Sequence, residues 1–253
     1  MIKFGIVIAT YYRKDKKTKK YLERCLNSIK NQTYSNYKIF LIGDDYEKLK
    51  ELYEFSKMFP KEQILIENLP MALERSKYSG SILWCTGGVN AFNNGIKLME
   101  EEGLTYYVHM DHDDYWEKSH LETLANAYKN FPETDFIYTK ARVFRLNQFI
   151  PIENMEPKIN NLIPKGGNVI HSSVSFRLDK INQRYRNTWE SLHILKAADA
   201  DLWDRIAIDI QNRKNHSLYI AVPTVFFDEE NRNRGLFKIL FRLKEYFDLL
   251  IID

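Results

Sequence analysis

The sequence predicts an α/β fold in which a mostly parallel, Rossmann-like sheet is flanked by helices. Three stretches carry this reading. Residues 2–10 form an apolar run without alternation, as in a central parallel strand covered on both faces. Tyr21, Leu22, Cys25, Leu26 and Ile29 then recur at helical spacing. Tyr37 to Ile42 is a second buried run, ending in Gly43-Asp44-Asp45. A right-handed strand–helix–strand crossover brings Thr10-Tyr11 and Asp44 to one edge of the sheet, where open α/β sheets bind ligands.

Asn31 to Asn36 breaks the first helix, residues 46–58 read as a helix, and Gln63 to Glu67 as a short strand. The pattern between residues 70 and 87 is weak: Tyr78-Ser79-Gly80 reads as a turn, and Ile82 to Cys85 as strand or buried loop. Thr86-Gly87-Gly88 leads through Asn90–Ile96 into a helix that ends near Glu102-Gly103; Asn93 either caps it or faces a ligand. A helix over 117–130 and a strand at Asp135 to Lys140 follow the motif described next. The second half alternates less regularly. Residues 141–165 read as a strand and then a loop containing Pro151, Pro157 and Pro164. Val169 to Arg177 reads as a strand with Ser172, Ser173 and Ser175 placed to line a polar groove. A helix over 198–212 opens on Asp199 and Asp201, acids that the macrodipole favours there.

Thr105 to Trp116 is a β-branched and aromatic run ending in Asp111-His112-Asp113-Asp114, a strand delivering acids to a sheet edge. If Asp111 and Asp113 are extended, the two-residue period points both carboxylates one way. Two such charges ~6 Å apart repel by roughly 3 kcal/mol at an effective dielectric near 20, so a cation between them relieves the fold. Oxygen ligands without cysteine suit Mg²⁺ or Mn²⁺. Asp114 is free to cap the following helix while the other two bind.

Lys and Arg outnumber Asp and Glu by only 37 to 34 in 253 residues, so nothing here calls for nucleic acid. Cys25 and Cys85 sit far apart in apolar surroundings, as packed thiols of a reducing compartment. The first strand is too short for a membrane span and shows no cleavage signal, which points to the cytoplasm. No repeat or linker interrupts the chain, so one continuous domain is expected.

Taken together, the blocks in order resemble the inverting family 2 glycosyltransferases with a GT-A fold. Ile6 to Arg13 looks like the family's opening strand and nucleotide-contacting turn. Cys25 to Tyr34 followed by Tyr37 to Asp45 is similar to its signature helix, Gln-Thr-Tyr turn and second strand. Ala91 to Ile96 and Asp111 to Trp116 resemble its Asn-x-Gly segment and metal motif. Asn168 to Arg177 and Ala198 to Trp203 look like its acceptor-side strand and Asp-x-Asp-Leu-Trp helix entrance.

The resemblance implies a GT-A domain over residues 1–234, with a nucleotide-binding half (1–116) and a smaller acceptor-side half (117–234). It implies a nucleoside-diphosphate sugar donor, a UDP-sugar favoured, and a glycan or lipid-linked acceptor. Thr10, Tyr11 and Arg13 would lie beside base and ribose, and Asp44 would accept from the base imide. Asn93 and His112 would also face the nucleotide-sugar. Asp111 would hold the ribose or share the cation, Mn²⁺ or Mg²⁺, that Asp113 binds. Asp199 would be the general base, with Asp201 the alternative two residues on.

Three segments depart from the family pattern. Gly43-Asp44-Asp45-Tyr46 lacks the usual Gly-Ser, so Tyr46 is expected to reshape the base pocket. Phe92 stands where many members carry Arg. The loop Phe227 to Gly235 lacks the usual His and Ser, and Arg232 or Arg234 would instead clamp the diphosphate, with Gly235 as hinge. Residues 235–253 read as an amphipathic helix with a narrow polar stripe of Lys238, Arg242, Glu245 and Asp248. Two readings stay open for it: packing on its own domain or a twin subunit, or peripheral docking on the anionic inner face of a membrane through Lys238, Arg242 and Lys244. Two other functions compete with sugar transfer, a divalent-metal phosphohydrolase built on His109 to Asp114 and a non-catalytic nucleotide-sugar or glycan binder.

Overall fold

Strand β1 (Phe4–Thr10) runs through the middle of a parallel array, with Phe4, Ile6 and Ile8 buried on one face and Val7 on the other. The structure, a computed structural model, describes residues 1–143, 148–150, 164, 166 and 168–227. β1 pairs in parallel with β2 (Tyr37–Asp44) and with β4 (Tyr106–His109), and β2 pairs in parallel with β3 (Ile64–Leu69). The two-faced burial repeats in β2, where Ile39 and Leu41 oppose Phe40 and Ile42. Two apolar layers result. One lies under α1 (Thr18–Lys30) and α6 (His120–Asn130), the other under α5 (Val89–Glu101) and α8 (Ala198–Arg213). Each fully buried Leu or Ile in them contributes about 1.5–3 kcal/mol.

Beyond β4 the sheet becomes mixed. Its order is β3-β2-β1-β4-β8-β6-β9-β5, where β5 is Tyr115–Trp116, β6 Thr134–Val143, β8 Val174–Arg177 and β9 His216–Phe227. Strand β8 is antiparallel to both neighbours, β9 is parallel to β6, and β7 (Gln148–Ile150) pairs with the outer part of β6. The mostly parallel expectation therefore holds for the first half and gives way to a mixed, helix-flanked sheet.

The register sets the rim. Thr10 aligns with Gly43 and Asp44 with Leu69, so β1 and β2 end side by side as the crossover required. Helix α5 rides directly on β1 because Gly95 has no Cβ; one placed there would stand 2.4 Å from Val7 Cγ1. The Gln-Thr-Tyr turn after α1 is a brace. Gln32 donates to Glu117 O at 2.8 Å and accepts from Leu121 N at 2.9 Å, Thr33 N donates to Lys118 O, and Tyr34 donates to Ile2 O at 2.6 Å. It ties α1 to the segment that follows the acidic motif.

Several expected elements differ. Residues 46–58 form only a short helix, α2 (Leu49–Glu54), followed by a 3-10 turn at Phe55–Met58. Ile82 to Cys85 is neither strand nor loop but lies in α4 (Gly80–Thr86), preceded by α3 (Leu73–Lys77). The segment before α8 carries α7 (Thr188–Leu192). His171–Ser173 is a 3-10 turn, and Ser172, Ser173 and Ser175 are fully buried rather than lining a groove. Both cysteines are free and buried. No described helix is long and apolar enough to cross a membrane. Residues 235–253, Arg232, Arg234, Pro151 and Pro157 lie outside the described residues.

Candidate active site

Among the described residues, Thr10 Oγ1 at the end of β1, Asp44 Oδ1 at the end of β2, Glu74 Oε2 on α3 and His112 Nε2 in the acidic motif are buried without a hydrogen-bond partner. Leaving a buried polar group unpaired costs about 1–3 kcal/mol, so each calls for a partner that the chain itself does not supply. Asp44 is 3 % exposed, and its other oxygen takes Arg75 Nε at 2.9 Å while a second Arg75 nitrogen reaches the Asp44 carbonyl. Burial raises the Asp44 carboxyl above its ordinary value, and Arg75 opposes that shift. The Arg75 guanidinium also lies over the Tyr11 ring, 4.8 Å from its centre, and Tyr11 meets His112 edge-on at 5.8 Å. His112 Nδ1 donates to Ala9 O at 3.2 Å, and its Nε2 has no partner among the described residues. Arg13 bonds Asp15 twice, at 3.1 and 2.8 Å, and lies within the field of Asp113.

The acidic motif is a turn, not a strand. Asp114 N donates to Asp111 O at 3.1 Å, so the side chains of Asp111 and Asp113 are not set by strand alternation. Asp114 caps no helix; it is buried and accepts from Ser172 Oγ at 2.6 Å, while Ser172 Oγ accepts from Asp111 N at 2.9 Å. Of the serines expected to line a groove, Ser172 thus holds the motif, while Ser173 donates to Ile170 O and Ser175 pairs with Tyr128. Asp111 instead gathers two histidines: His109 Nε2 at 3.0 Å and His171 Nδ1 at 3.4 Å from Oδ1. These three residues could hold a metal ion, and Asp113 is not one of them. The imidazoles stack with ring centres 3.2 Å apart and planes 8° from parallel, under the edge-on ring of Phe92. Burial drives His109 down to about 3. Burial alone would raise Asp111, but the facing histidines outweigh it and hold the carboxyl well below its usual range. Neither the outer oxygen of Asp111 nor the Asp113 carboxylate has a hydrogen bond or ion pair among the described residues.

The first turn of α8 separates its two acids. Asp201, 3 % exposed, takes Arg186 on both oxygens at 2.8 Å and Arg205 Nε at 2.8 Å. Burial pushes its carboxyl up, but the two guanidinium groups outweigh that and leave it lowered. Asp199 is half-buried and has no bonded partner among the described residues. Its charge reaches Cys85, whose thiol burial pushes up to about 11, and Tyr185, which feels Asp111 as well. Tyr185 therefore lies within the field of both acids. Asn93 does not cap α5, which begins four residues earlier, and both ends of its amide are taken. It donates to Tyr185 O at 2.8 Å and accepts from Tyr185 N at 3.1 Å.

No family model matches the chain. An uncharacterized glycosyltransferase of Acanthamoeba polyphaga mimivirus is 43% identical over 236 residues, which cover 90% of this chain and 95% of that protein. The chain belongs to this glycosyltransferase family. Among solved structures, S. aureus TarS 1-349 in complex with UDP-GlcNAc superposes with a TM-score of 0.62 at 14% identity, over 92% of this chain and 60% of its own. The mannosyltransferase PcManGT from Pyrobaculum calidifontis, in complex with GDP-Man and Mn²⁺, gives 0.58 at 12% identity, over 92% and 58%. At such identities these neighbours show the fold alone, that of GT-A glycosyltransferases, and the present chain spans about 60% of their length.

In this glycosyltransferase, sequence reading missed Arg75, His171 and Tyr185. Arg75 sits in the stretch with weak periodicity, and the other two reach the site only through the antiparallel return of β8 and the segment after it. Tyr46 is turned into the core. It is 1 % exposed, donates to Glu51 at 2.7 Å and packs edge-on beneath Tyr12. Phe92 occupies the roof of the imidazole pair. Arg177 pairs at the surface with Asp179 at 2.7 Å.

Proposed function

We propose that the protein transfers a sugar from a UDP-sugar to a hydroxyl of a glycan or lipid-linked acceptor in one metal-assisted displacement that inverts the anomeric carbon. The observation that carries the donor assignment is the Asp44–Arg75 pair. With one oxygen held by Arg75, Asp44 offers a single free acceptor next to guanidinium donors. That pattern matches an imide, an N–H flanked by carbonyls, as in uracil. Guanine presents two adjacent N–H groups and would need both carboxylate oxygens. In this reading Tyr11 and His112, which adjoin Arg75 through ring contacts, would meet the base and ribose together with Thr10 and Arg13.

Asp111 and Asp113 are the residues that would hold a divalent ion, because each keeps an uncommitted carboxylate oxygen at the turn. When bound, the ion supplies neutralisation of the charge that grows on the departing diphosphate. Asp199 removes the proton of the attacking hydroxyl. Asp201 cannot serve, since both of its oxygens hold guanidinium groups. No nucleophilic side chain is required, because the acceptor oxygen itself attacks.

A thermal-shift panel of UDP, GDP and ADP, each with Mn²⁺ or with EDTA, tests the donor reading. The largest stabilisation is expected from UDP with Mn²⁺; an equal or larger shift from GDP would overturn the uracil assignment.

A further inference from the structure

Six basic residues and one acid, Asp15, fall within residues 13–20, so this run carries a formal charge of +5. The whole chain carries +3, which leaves all the other residues with a net charge of −2. Arg13 binds Asp15 through two nitrogens, at 3.1 and 2.8 Å, and neutralises the one acid of the run. Lys14, Lys16, Lys17, Lys19 and Lys20 are all exposed. Apart from a 3.9 Å approach of Lys19 to Glu23, none has an ion pair among the described residues.

The run is held in one shape. Thr18, fully buried, accepts from Arg13 N at 2.9 Å and donates to Tyr11 O at 3.0 Å. Lys16 N donates to Arg13 O at 3.0 Å and Lys17 N to Asp15 Oδ1 at 3.1 Å. Lys16 takes a φ of +61°, a left-handed backbone that is costly for a lysine. Lys17 is the N-cap of α1, Lys19 and Lys20 stand in its first turn, and neither an acid nor a capping side chain is present there. A helix N-terminus favours anions, so lysines in that place oppose the fold unless an external anion faces them.

Apolar groups adjoin the lysines. Leu49 and Tyr53, one turn apart on the same face of α2, are 50 and 46 % exposed. Leu49 also joins Phe55 and Met58 in the wall of a cavity of about 650 Å³ between α1 and α2, whose rim includes Lys19, Lys48 and Lys50. The glutamates of that cavity are engaged within the protein, Glu23 with Lys19, Glu51 with Tyr46 at 2.7 Å and Glu54 with Lys57 at 2.6 Å.

We propose that the face formed by residues 13–20 and α2 docks on an anionic lipid bilayer, with the lysines among the headgroup phosphates and Leu49 and Tyr53 at the boundary beneath them. A phosphodiester polymer would answer the charge but leave Leu49, Tyr53 and the apolar wall of the cavity without a partner, whereas a bilayer surface meets both. Docking does not depend on the sugar-transfer reading. Joined to it, docking narrows the acceptor to one presented at a lipid surface, because the run continues directly from Thr10 and Tyr11 at the end of β1.

Co-sedimentation of the full chain with sucrose-loaded vesicles tests it, one set of phosphatidylcholine and one with about a third phosphatidylserine. The wild type should pellet with the anionic set at about 0.15 M salt, be released at about 1 M, and stay in solution with the neutral set. Each lysine near such a surface is worth about fivefold in binding. The fourfold variant Lys14→Gln, Lys16→Gln, Lys17→Gln, Lys20→Gln should therefore bind roughly 100-fold or more weakly, with a melting temperature no lower than that of the wild type. Leu49→Ser with Tyr53→Ser should weaken binding several-fold and keep its salt dependence. Wild-type protein that ignores the anionic vesicles, or a fourfold variant that pellets like the wild type, overturns the proposal. Tighter binding of the wild type to duplex DNA than to anionic vesicles at the same salt would overturn it in favour of a nucleic-acid face. Stabilisation by UDP, measured beside these, reports on the donor site separately.

Discussion

Asp199 and Asp201 are two residues apart on the first turn of α8, yet Arg186 and Arg205 both close on Asp201 and leave Asp199 open. The two carboxylates look equivalent in sequence and stand in opposite surroundings, one bound by two guanidinium groups and one without a bonded partner among the described residues. Asp199→Asn should keep UDP affinity and melting temperature and lower sugar transfer by about 10²–10⁴-fold, the usual worth of a general base. Asp201→Asn should do the reverse, lowering the melting temperature because two guanidinium groups lose their anion. UDP release from a UDP-sugar panel with oligosaccharide acceptors, beside thermal melts, separates the two. Equal loss of turnover without loss of stability in Asp201→Asn would reverse the assignment.

Arg75 holds one oxygen of Asp44 and thereby limits what the other can read. Removing it in Arg75→Ala deletes a charge-assisted bond of about 1.5–3 kcal/mol, equivalent to roughly 10–100-fold in affinity for UDP. The same change frees the second oxygen of Asp44, which suits the two N–H groups of guanine. The ratio of UDP to GDP affinity should therefore fall by more than UDP affinity alone would suggest. Calorimetric titration of both nucleotides measures it, and an unchanged ratio would mean that Arg75 does not read the base.

Gly95 tests how tightly α5 sits on the sheet. Alanine gains about 1 kcal/mol of helix propensity over glycine, but its Cβ would press on Val7, a stiff β-branched residue in a central strand. Overpacking of this kind costs about 1–3 kcal/mol, so Gly95→Ala should be net destabilising in urea. Val7→Ala alone creates a cavity. The double variant should lose less than the two single losses combined, by at least about 0.5 kcal/mol; strict additivity would place the strain elsewhere.

The parallel half was legible because β1, α1 and β2 each carry their own periodicity, and the handedness of the crossover then puts Thr10 and Asp44 together without further information. The stretch over α3 and α4 was not. Leu73 and Trp84 are large apolar residues left 39 and 41 % exposed, which blurs the helical pattern, and Gly80 opens α4 at a φ of +56°. His171 and Tyr185 could not be found from residue spacing, since His171 meets Asp111 from 60 positions downstream, Tyr185 joins it by bonding His171 and Tyr107, and only the return of β8 beside β4 unites them. The distinction between Asp199 and Asp201 depends on Arg186, which arrives from the segment ahead of the helix. Local pattern therefore marked the acids, and tertiary contact assigned them.

The Asp201 cluster also carries a pH signature with a definite sign. Its folded carboxyl lies below the ordinary 3.8, so the unfolded chain takes up that proton first as the pH falls. The contribution of Asp201 to stability is therefore complete above 3.8 and disappears as the pH drops through the lower folded value. Urea melts of the wild type and Asp201→Asn should differ most near neutrality and converge below pH 3.8. Asp111 is lowered too and will make both proteins acid-labile, but it is common to both and cancels in the difference. A gap between the two proteins that stays constant from neutral pH into the acid limb would show that the Arg186 and Arg205 contacts do not stabilise the charged form of Asp201.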